Sequence, residues 1–496
     1  MTGAALSDRL TLSRTAKERA LALLWAALVA AVVWCMFDPM AQFFAFGVAA
    51  SVIVTLPMLR TGYRLVEPWT FLALTVYFGH GVRGFFISYR GEDDGEIQQL
   101  FLLHQPLEFF VYPSAVHLGA LALMALAYVG VRHRVASPTT NKTDGYKFGR
   151  QVDLIVVLTA AVGLVGSLLY VQATGGFSWD LLSAKRTTIP GVELAGYEGG
   201  HGVYRTVAQF GTVAFLLAVA RSSVTHGSIP AGTGRWLWMT ALFANAALVP
   251  LHSSTRADVV LPLVFALVVR SCLGRRRLRV RTLIQVAAVG VVMLAALTFL
   301  RATAEGAGRE VTGVGAVDAL GDTLVYNRNF GELPVTAHII GAVPEKMGYT
   351  HGETVVTYLA GPIPRTVWRD KPLISPGPII GAKIYGLPRS GVPPGAVGEF
   401  YWAFGIPGVV AGSLMLGWLL RLIDRRFNPA DADPRRVLLY AAALMPFAIN
   451  AMAVSLGYAL LSATIAFVMM SAALTLAGAR HRATSRPSRY SRRRTP

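Results

Sequence analysis

Several residue types that would define a disulfide-rich, metal-binding or nucleotide-binding protein are scarce or missing in this sequence. There are only two cysteines, Cys35 and Cys272, and they lie in separate apolar segments without metal-ligand spacing. We expect both to be small core residues. Charged residues make up only 15% of the 496 residues, and the sequence has no Gly-rich phosphate-binding loop. These absences argue against a disulfide framework, a cysteine-based metal centre and a nucleotide site.

What is abundant is apolar sequence, with 54% hydrophobic residues and a mean hydropathy of +0.50. The apolar runs are about 17–25 residues long, which is the length that crosses a hydrocarbon core of about 30 Å. This pattern predicts an all-α polytopic integral membrane protein with about twelve transmembrane helices. We expect spans near 20–37, 40–59, 67–87, 109–131, 152–171, 204–221, 236–251, 257–273, 282–300, 399–420, 436–454 and 457–478. A tight turn near Ser455–Gly457 must separate the last two, because one continuous helix would be too long for the bilayer.

The basic residues are unevenly distributed along the chain. About 31 of the 46 Lys and Arg fall in the two terminal tails and in alternate short connections, and about 15 fall in the opposite, longer loops. This bias predicts a multi-pass protein of the plasma membrane with both termini cytoplasmic. It also explains most of the net charge of +19 without a nucleic-acid partner.

The predicted organisation follows from these spans. It comprises a basic cytoplasmic tail (1–19), nine spans within 20–300 with outer loops at 88–108 and 172–203, a large outer loop (301–398), three spans within 399–478 and a basic, disordered cytoplasmic tail (479–496). Function is expected on the outer face, because irregular polar structure of ligand size is concentrated there.

The large outer loop 301–398 combines stiffness with positive charge. Eight prolines lie in its second half, and the segment Gly361–Pro372 carries Arg365, Arg369 and Lys371. Proline lowers the entropy lost when a loop takes a fixed shape, and guanidinium groups bind phosphate oxygens well. We interpret these three cations as ligands of an anionic substrate. We also expect the loop to fold into short helices.

Other cations are candidates for the same ligand, each with a simpler alternative. Arg256, in a short outer turn, either binds a phosphate or pairs with Asp258 to anchor that turn. Arg186 in the second outer loop either faces the ligand or is an interfacial anchor. Arg328 belongs to the cations of the large loop.

Two further features are more ambiguous. Arg83 lies within the third span beside His80, and is either functional or extends its charged end to the interface. The acidic segment Glu92–Glu96 has oxygen ligands but no regular spacing, so outer-loop charge bias explains it adequately. We expect it to be dispensable, and we expect no metal and no cofactor.

The motif Pro364-Arg365-x-x-Trp368-x-x-Lys371-Pro372 resembles the Wzy-type O-antigen polymerases, or oligosaccharide repeat unit polymerases. The segment that begins at Gly398-Glu399 and ends at Pro407-Gly408, and the earlier Ser253-Ser-Thr-Arg256 turn, fit the same pattern. The resemblance covers about 160 residues, about 250–410. The paired Arg-x10-Gly motifs of some Wzy-type polymerases are not cleanly present. The mechanism proposed for those members, a handoff between two loops, therefore has no support in this sequence.

The resemblance implies a C-type glycosyltransferase-like fold and a defined reaction. A glycan would pass from an undecaprenyl-pyrophosphate donor to a second lipid-linked repeat unit, while cations stabilise the pyrophosphate leaving group. Glu399, at the mouth of a span, and His351 are the candidates for the catalytic base. Membrane lipid, and a flippase and chain-length regulator of the same pathway, are the expected partners.

Three alternatives remain open. An O-antigen-ligase-like enzyme would use the same donor and cations with a different acceptor. A lipid-linked oligosaccharide flippase or other transporter would place polar or broken spans near the bilayer midplane. A polyprenyl-phosphate-sugar glycosyltransferase would use Asp93 or Asp94, although that acidic motif is expected near a first span and here follows the third.

Overall fold

The computed structural model describes residues 13–91, 102–130, 151–176, 202–224, 233–253, 256–274, 332–361, 363, 367–368, 376–386, 392–427 and 433–478. For residues 233, 256, 257 and 332 only the backbone is described.

All regular secondary structure in these residues is helical. Nine of the described helices are long and apolar enough to cross a membrane: α1 (Arg14–Cys35), α2 (Ala41–Leu59), α3 (Pro68–Arg90), α4 (Leu107–Gly130), α5 (Gln151–Ala173), α6 (Gly202–Val224), α12 (Gly395–Phe427), α13 (Pro434–Ala453) and α14 (Leu456–Leu476). The expected all-α membrane architecture is confirmed at this level.

Two more helices lie where the seventh and eighth spans are predicted, namely α7 (Thr233–His252) and α8 (Arg256–Leu273). They are long enough, but α8 carries Arg256, Asp258 and Arg270 within its 18 residues. The predicted span 282–300 lies outside the described residues. The total of twelve spans therefore stays a prediction.

The large loop contains short helices, as expected, in the part that is described. These are α9 (Glu332–Ala342), α10 (Glu353–Val356), which continues as a 3-10 turn at Thr357–Ala360, and α11 (Gly377–Lys383). The following helix α12 begins at Gly395 and not at Glu399, so Glu399 lies inside its second turn.

The predicted turn between the last two spans is also present. α13 ends at Ala453 and α14 begins at Leu456. Ser455 between them is the N-cap of α14, because its hydroxyl accepts from the Tyr458 amide.

Successive long helices run in opposite directions, so alternate connections meet at the same end of the bundle. We call one end the Glu67 end, since it contains Arg60, Glu67 and Asp424. We call the other the Glu399 end, since Glu399 meets the start of α14 there.

Glycines set the close spacing between several helices. A Cβ atom on Gly163 of α5 would lie 2.3 Å from the Gly211 amide nitrogen of α6. A Cβ atom on Gly417 of α12 would lie 2.2 Å from the Met124 carbonyl oxygen of α4. Small residues let helix backbones approach in this way, which strengthens packing where the hydrophobic effect does not drive association.

A buried charged network closes the Glu67 end. Glu67 pairs with Arg60 and accepts from the Tyr128 hydroxyl at 2.7 Å. Asp424 accepts from Arg421 at 2.6 Å and lies 3.7 Å from Arg60. We call these five residues the Glu67 cluster. It joins the connection between α2 and α3 to the ends of α4 and α12.

Aromatic rings pack against the Glu67 cluster. The guanidinium of Arg60 lies over the rings of Tyr63 and Tyr128, at 5.4 and 5.2 Å from their centroids. Burial raises the pKa of Tyr63 well above its usual value, so its hydroxyl stays neutral. Such a network stabilises a fold only while every partner is present.

The first helix, α1, packs mainly against α2, and Ala31 is its one buried residue. Cys35 at its end is only half-buried, so the expectation of a core residue is wrong for Cys35. It is confirmed for Cys272, which is buried in α8. Cys35 differs because a helix at the edge of the bundle has only one packed face.

Candidate functional site at the Glu399 end

The site is organised by a break in α12. Phe404 and Gly405 have non-helical dihedral angles (φ −149°, ψ 21° and φ 65°, ψ −145°). The positive φ of Gly405 suits a residue without Cβ. Two residues later, Pro407 lacks the amide hydrogen that would reach the Ala403 carbonyl oxygen in a regular helix. The break therefore leaves backbone acceptors that need other donors.

The segment before α10 supplies those donors. The His351 amide donates to the Ala403 carbonyl oxygen at 3.1 Å, and the Thr350 amide donates to the Trp402 carbonyl oxygen at 3.0 Å. In return, Nε1 of Trp402 donates to the Gly348 carbonyl oxygen at 3.0 Å. These bonds fix the backbone of His351, a candidate base, directly on the break.

Glu399, the other candidate base, lies one turn before the break and is fully buried. Its Oε2 accepts from the Leu456 amide at 2.7 Å, at the N-terminus of α14. A carboxylate is favoured there by the helix dipole and by the amides that have no partner inside the helix. One role of Glu399 is therefore structural.

The second oxygen of the same carboxylate has no such partner. Oε1 of Glu399 and the hydroxyl of Thr354 make no hydrogen bond of standard geometry with the described residues, although the hydroxyls of Thr354 and Ser455 are close enough to interact with the carboxylate. A buried carboxylate oxygen without a well-aligned donor is costly. A hydroxyl group beside Oε1 would supply that donor.

The second candidate base, His351, has an exposed side chain. Its ring lies 6.3 Å from the Tyr349 ring and 6.0 Å from the Phe404 ring, measured between centroids. The structure therefore brings His351 and Glu399 to the same end of the bundle in different surroundings. One is open to solvent and the other is enclosed.

The chain continues from here toward the predicted cationic segment. Gly457 allows α14 to approach α10, since a Cβ atom on it would lie 2.5 Å from the Thr354 carbonyl oxygen. Gly361 is pressed against Leu461 in the same way, at 2.4 Å from its side chain. Residues 354–361 therefore lie along α14, and Gly361 opens the Gly361–Pro372 segment at this end.

Most of the predicted substrate-binding cations lie outside the described residues. These are Arg365, Arg369, Lys371, Arg328 and Arg186. Arg256 begins α8 and only its backbone is described. Trp368, within the same motif, is exposed. The cation site therefore stays a prediction.

The turn that contains Arg256 has polar neighbours at the Glu399 end. The Asp258 carboxylate lies 3.8 Å from Arg205 of α6, and the pair between Arg256 and Asp258 stays a prediction because only the backbone of Arg256 is described. The buried His252 contacts the Thr174 hydroxyl at 2.8 Å. Arg256 thus starts its helix beside a polar patch built from α5, α6 and α7.

A polar cluster in the middle of the bundle was not predicted. His80 of α3 and His117 of α4 lie near the centres of their spans, with ring centroids 4.7 Å apart. His117 is 1% exposed, and neither of its ring nitrogens has a hydrogen-bond partner among the described residues. Only the presence of a histidine within the apolar run of α4 could have indicated this site from the sequence.

Arg83 belongs to the same region of α3 and is only 2% exposed. Of the two alternatives for Arg83, the enclosed side chain argues against extension of its charged end to the interface. The helix around His80 is a π-helical segment, Tyr77–Val82. Such segments occur often at functional sites, and an ionisable residue inside a span is a functional candidate.

Within the described ranges, no group of three His, Cys, Asp or Glu side chains is placed to hold a metal ion. The acidic segment Glu92–Glu96 lies outside those ranges.

Comparison of this chain with protein-family models, with curated proteins and with solved structures finds no match. A functional conclusion therefore depends on the arrangement of the residues described above.

Proposed function

We propose that this protein polymerises polyprenyl-pyrophosphate-linked oligosaccharide repeat units, with its site at the Glu399 end and that end facing the outside of the plasma membrane. The proposal includes about twelve spans in a C-type glycosyltransferase-like fold, with both termini cytoplasmic. The observation that supports it most is the buried Glu399 carboxylate. One of its oxygens is held and the other is without a partner, beside a segment that leads into Gly361–Pro372.

The chemistry assigns a role to each group. An acceptor hydroxyl gives its proton to Oε1 of Glu399, with His351 as the alternative base, and its oxygen attacks the anomeric carbon of the donor. The bond between that carbon and the pyrophosphate oxygen breaks, and the pyrophosphate leaves with the electron pair. Arg365, Arg369 and Lys371 stabilise the charge that develops on the leaving group.

The magnitudes are adequate for a useful contribution. A hydrogen bond to a charged group contributes about 1.5–3 kcal/mol, and enzymes lower barriers by about 8–23 kcal/mol. Two or three fixed cations therefore supply a substantial part of the rate enhancement. An O-antigen-ligase-like enzyme would use the same groups with another acceptor, so the product, and not the site, separates the two.

The decisive experiment is the lipid-linked glycan profile of a deletion strain, complemented with wild-type protein or with Glu399→Ala. We expect single repeat units to accumulate in the deletion strain and in the Glu399→Ala strain, and a ladder of lengths with the wild-type protein. An unchanged ladder in the deletion strain would refute the polymerase proposal.

A transporter of lipid-linked oligosaccharide is the second candidate, and a specific observation favours it. His80, His117 and Arg83 are buried within spans, and a π-helical segment interrupts α3 beside them. Transport sites typically lie near the bilayer midplane in interrupted helices. The large structured segment at the Glu399 end favours the enzyme over this alternative.

The two candidates predict different locations for the accumulated lipid. Without a polymerase, single repeat units wait on the outer leaflet, where a membrane-impermeant glycosidase or lectin added to spheroplasts reaches them. Without a transporter, the units stay on the inner leaflet and are protected. If the accumulated lipid-linked units are protected in the deletion strain, the polymerase proposal is refuted and the transporter proposal is supported.

A further inference from the structure

Three aromatic rings form a continuous exposed surface across the break in α12. Tyr349 is 37% exposed and Phe404 is 53% exposed, and the exposed ring of His351 lies between them. We call these three residues the aromatic face. Exposed aromatic rings that contact one another are a candidate binding surface.

The rings of the aromatic face lie close to the backbone of the break. The non-helical backbone at Phe404 and Gly405 turns the Phe404 ring away from the course of the helix. The Tyr349 hydroxyl lies 3.3 Å from the position of a Cβ atom on Gly405. A Cβ atom on Gly352 would contact the Phe404 ring at 3.5 Å. These short distances place the rings of Tyr349 and Phe404 directly against the backbone on either side of the break.

The position of the aromatic face suits a sugar that is attached to a membrane lipid. On one side, exposed apolar residues of the α12 span continue from the break, among them Ile406 and Val410. On the other side lies the segment that leads to Gly361, whose exposed residues include Glu353 together with the apolar Val356 and Leu359. The aromatic face therefore lies within a largely apolar surface that carries one exposed carboxylate, so a sugar bound there is close to the lipid to which it is attached.

The chemical character of the aromatic face also suits a sugar. Pyranose rings present weakly positive C–H groups on a face and hydroxyl groups around the edge. The negative face of an aromatic ring attracts those hydrogens. The hydroxyl of Tyr349 and the imidazole of His351, which both belong to the aromatic face, are at hand for the edge.

We propose that the aromatic face binds a hexopyranose residue of the lipid-linked oligosaccharide by ring stacking. This inference rests on the proposed function for the source of the sugar. It assigns Tyr349, His351 and Phe404 to glycan binding, which is distinct from pyrophosphate binding by the cations. The competing explanation is an aromatic belt, in which the rings only contact lipid headgroups.

The test uses the full-length protein in nanodiscs and saturation-transfer difference NMR. The probes are methyl glycosides of glucose, galactose and mannose, and the disaccharides maltose, lactose and cellobiose. The variants are Phe404→Leu, which keeps an apolar side chain without a ring face, and Phe404→Trp, which keeps the ring. Phe78→Leu, at a lipid-exposed position of α3 that is 51% exposed, is the matched control.

We expect saturation transfer to at least one probe with wild-type protein, with Phe404→Trp and with Phe78→Leu. With Phe404→Leu, we expect sugar affinity to fall about three- to tenfold, as the loss of a stacking contact implies. Absence of transfer to every probe, or equal transfer with Phe404→Leu and wild type, would overturn the proposal. The second outcome would indicate an aromatic belt.

The glycan ladder separates this failure from failure of the proposed function. If Phe404→Leu binds sugars normally while deletion of the gene abolishes the ladder, the aromatic face is overturned and the polymerase stands. If the aromatic face binds sugars and the deletion strain still makes a full ladder, the proposal for glycan binding is supported and the polymerase proposal is refuted.

Discussion

Oε2 of Glu399 accepts a hydrogen bond from the Leu456 amide over 2.7 Å, which joins the start of α12 to the start of α14. The two residues are 57 positions apart in the chain. The contact gives one carboxylate two possible roles, because Oε2 caps a helix and Oε1 is without a partner among the described residues. The first prediction separates these roles.

Glu399→Gln keeps an oxygen that accepts from Leu456 and removes the basic oxygen. We expect thermal stability in detergent close to that of wild type and a fall in polymerisation of about 10²–10⁴-fold, the usual contribution of a general base. Glu399→Ala should lose both stability and activity. If Glu399→Gln still gives a full ladder of polymer lengths, the role of Glu399 is only to cap α14, and His351 becomes the candidate base.

Arg365 tests the predicted pyrophosphate contact. Arg365→Lys keeps the charge and loses the planar fork of donors, so polymer length should fall well below wild type at normal membrane levels of protein. Arg365→Ala should be worse, because the leaving-group charge then has no partner. Arg389→Ala serves as a control for a peripheral cation. Full-length polymer from Arg365→Ala would refute the assignment of this residue.

The Glu67 cluster should matter for stability and not for chemistry. Glu67→Gln removes the nearer of the two carboxylates beside Arg60 and leaves Asp424, at 3.7 Å, as its remaining ionic partner. We expect a loss of about 1–3 kcal/mol of stability, because a hydrogen bond between charged groups is weakened in a mostly buried cluster. The matched control is Glu18→Gln, which removes the exposed pair between Arg14 and Glu18 and should change the melting temperature little. Equal melting temperatures for both variants would contradict a stabilising cluster.

Close helix contact can be tested with two glycines that face different surroundings. Gly417→Ala places a methyl group against the Met124 carbonyl and should cost about 1–3 kcal/mol as α12 and α4 separate. Gly119→Ala in α4 is the control, since a Cβ atom there meets nothing within 4 Å. The measurement is thermal unfolding in the same detergent. No difference between the two variants would show that the packing is loose.

The orientation of the bundle is open to chemical labelling. In a background without Cys35 and Cys272, a cysteine is placed at Thr140 or at the exposed Glu353. A membrane-impermeant maleimide applied to whole cells should label Glu353→Cys only, and lysis should expose Thr140→Cys. Labelling of both positions in intact cells would overturn the topology, and with it the outer location of the site.

The positions of the nine described spans were predictable, because hydropathy is a local property of the sequence. The turn at Ser455 followed from bilayer thickness. The break in α12 was not predicted, although Gly405 and Pro407 lie within the predicted span 399–420. Contacts between distant residues could not be read in the same way. Nothing local in the sequence couples Arg60 to Asp424, or His80 to His117, since each pair forms only when separate helices pack.

The same limit applies to the candidate site. Glu399 and His351 were predicted as bases, but the sequence does not reveal that one is enclosed at the start of α14 and the other is exposed beside Phe404. The His351 amide donates to the Ala403 carbonyl oxygen because the break in α12 leaves that oxygen without a helical donor. The two residues are 52 positions apart in the chain. Aromatic residues were visible in the sequence, but their common surface was not.

The peripheral position of α1 has a practical consequence. Because Ala31 is its only buried residue, most side chains of this helix contribute nothing to the packed interior. Fusion partners, affinity handles and fluorescent reporters are therefore best attached ahead of Arg14, next to the helix that buries the least.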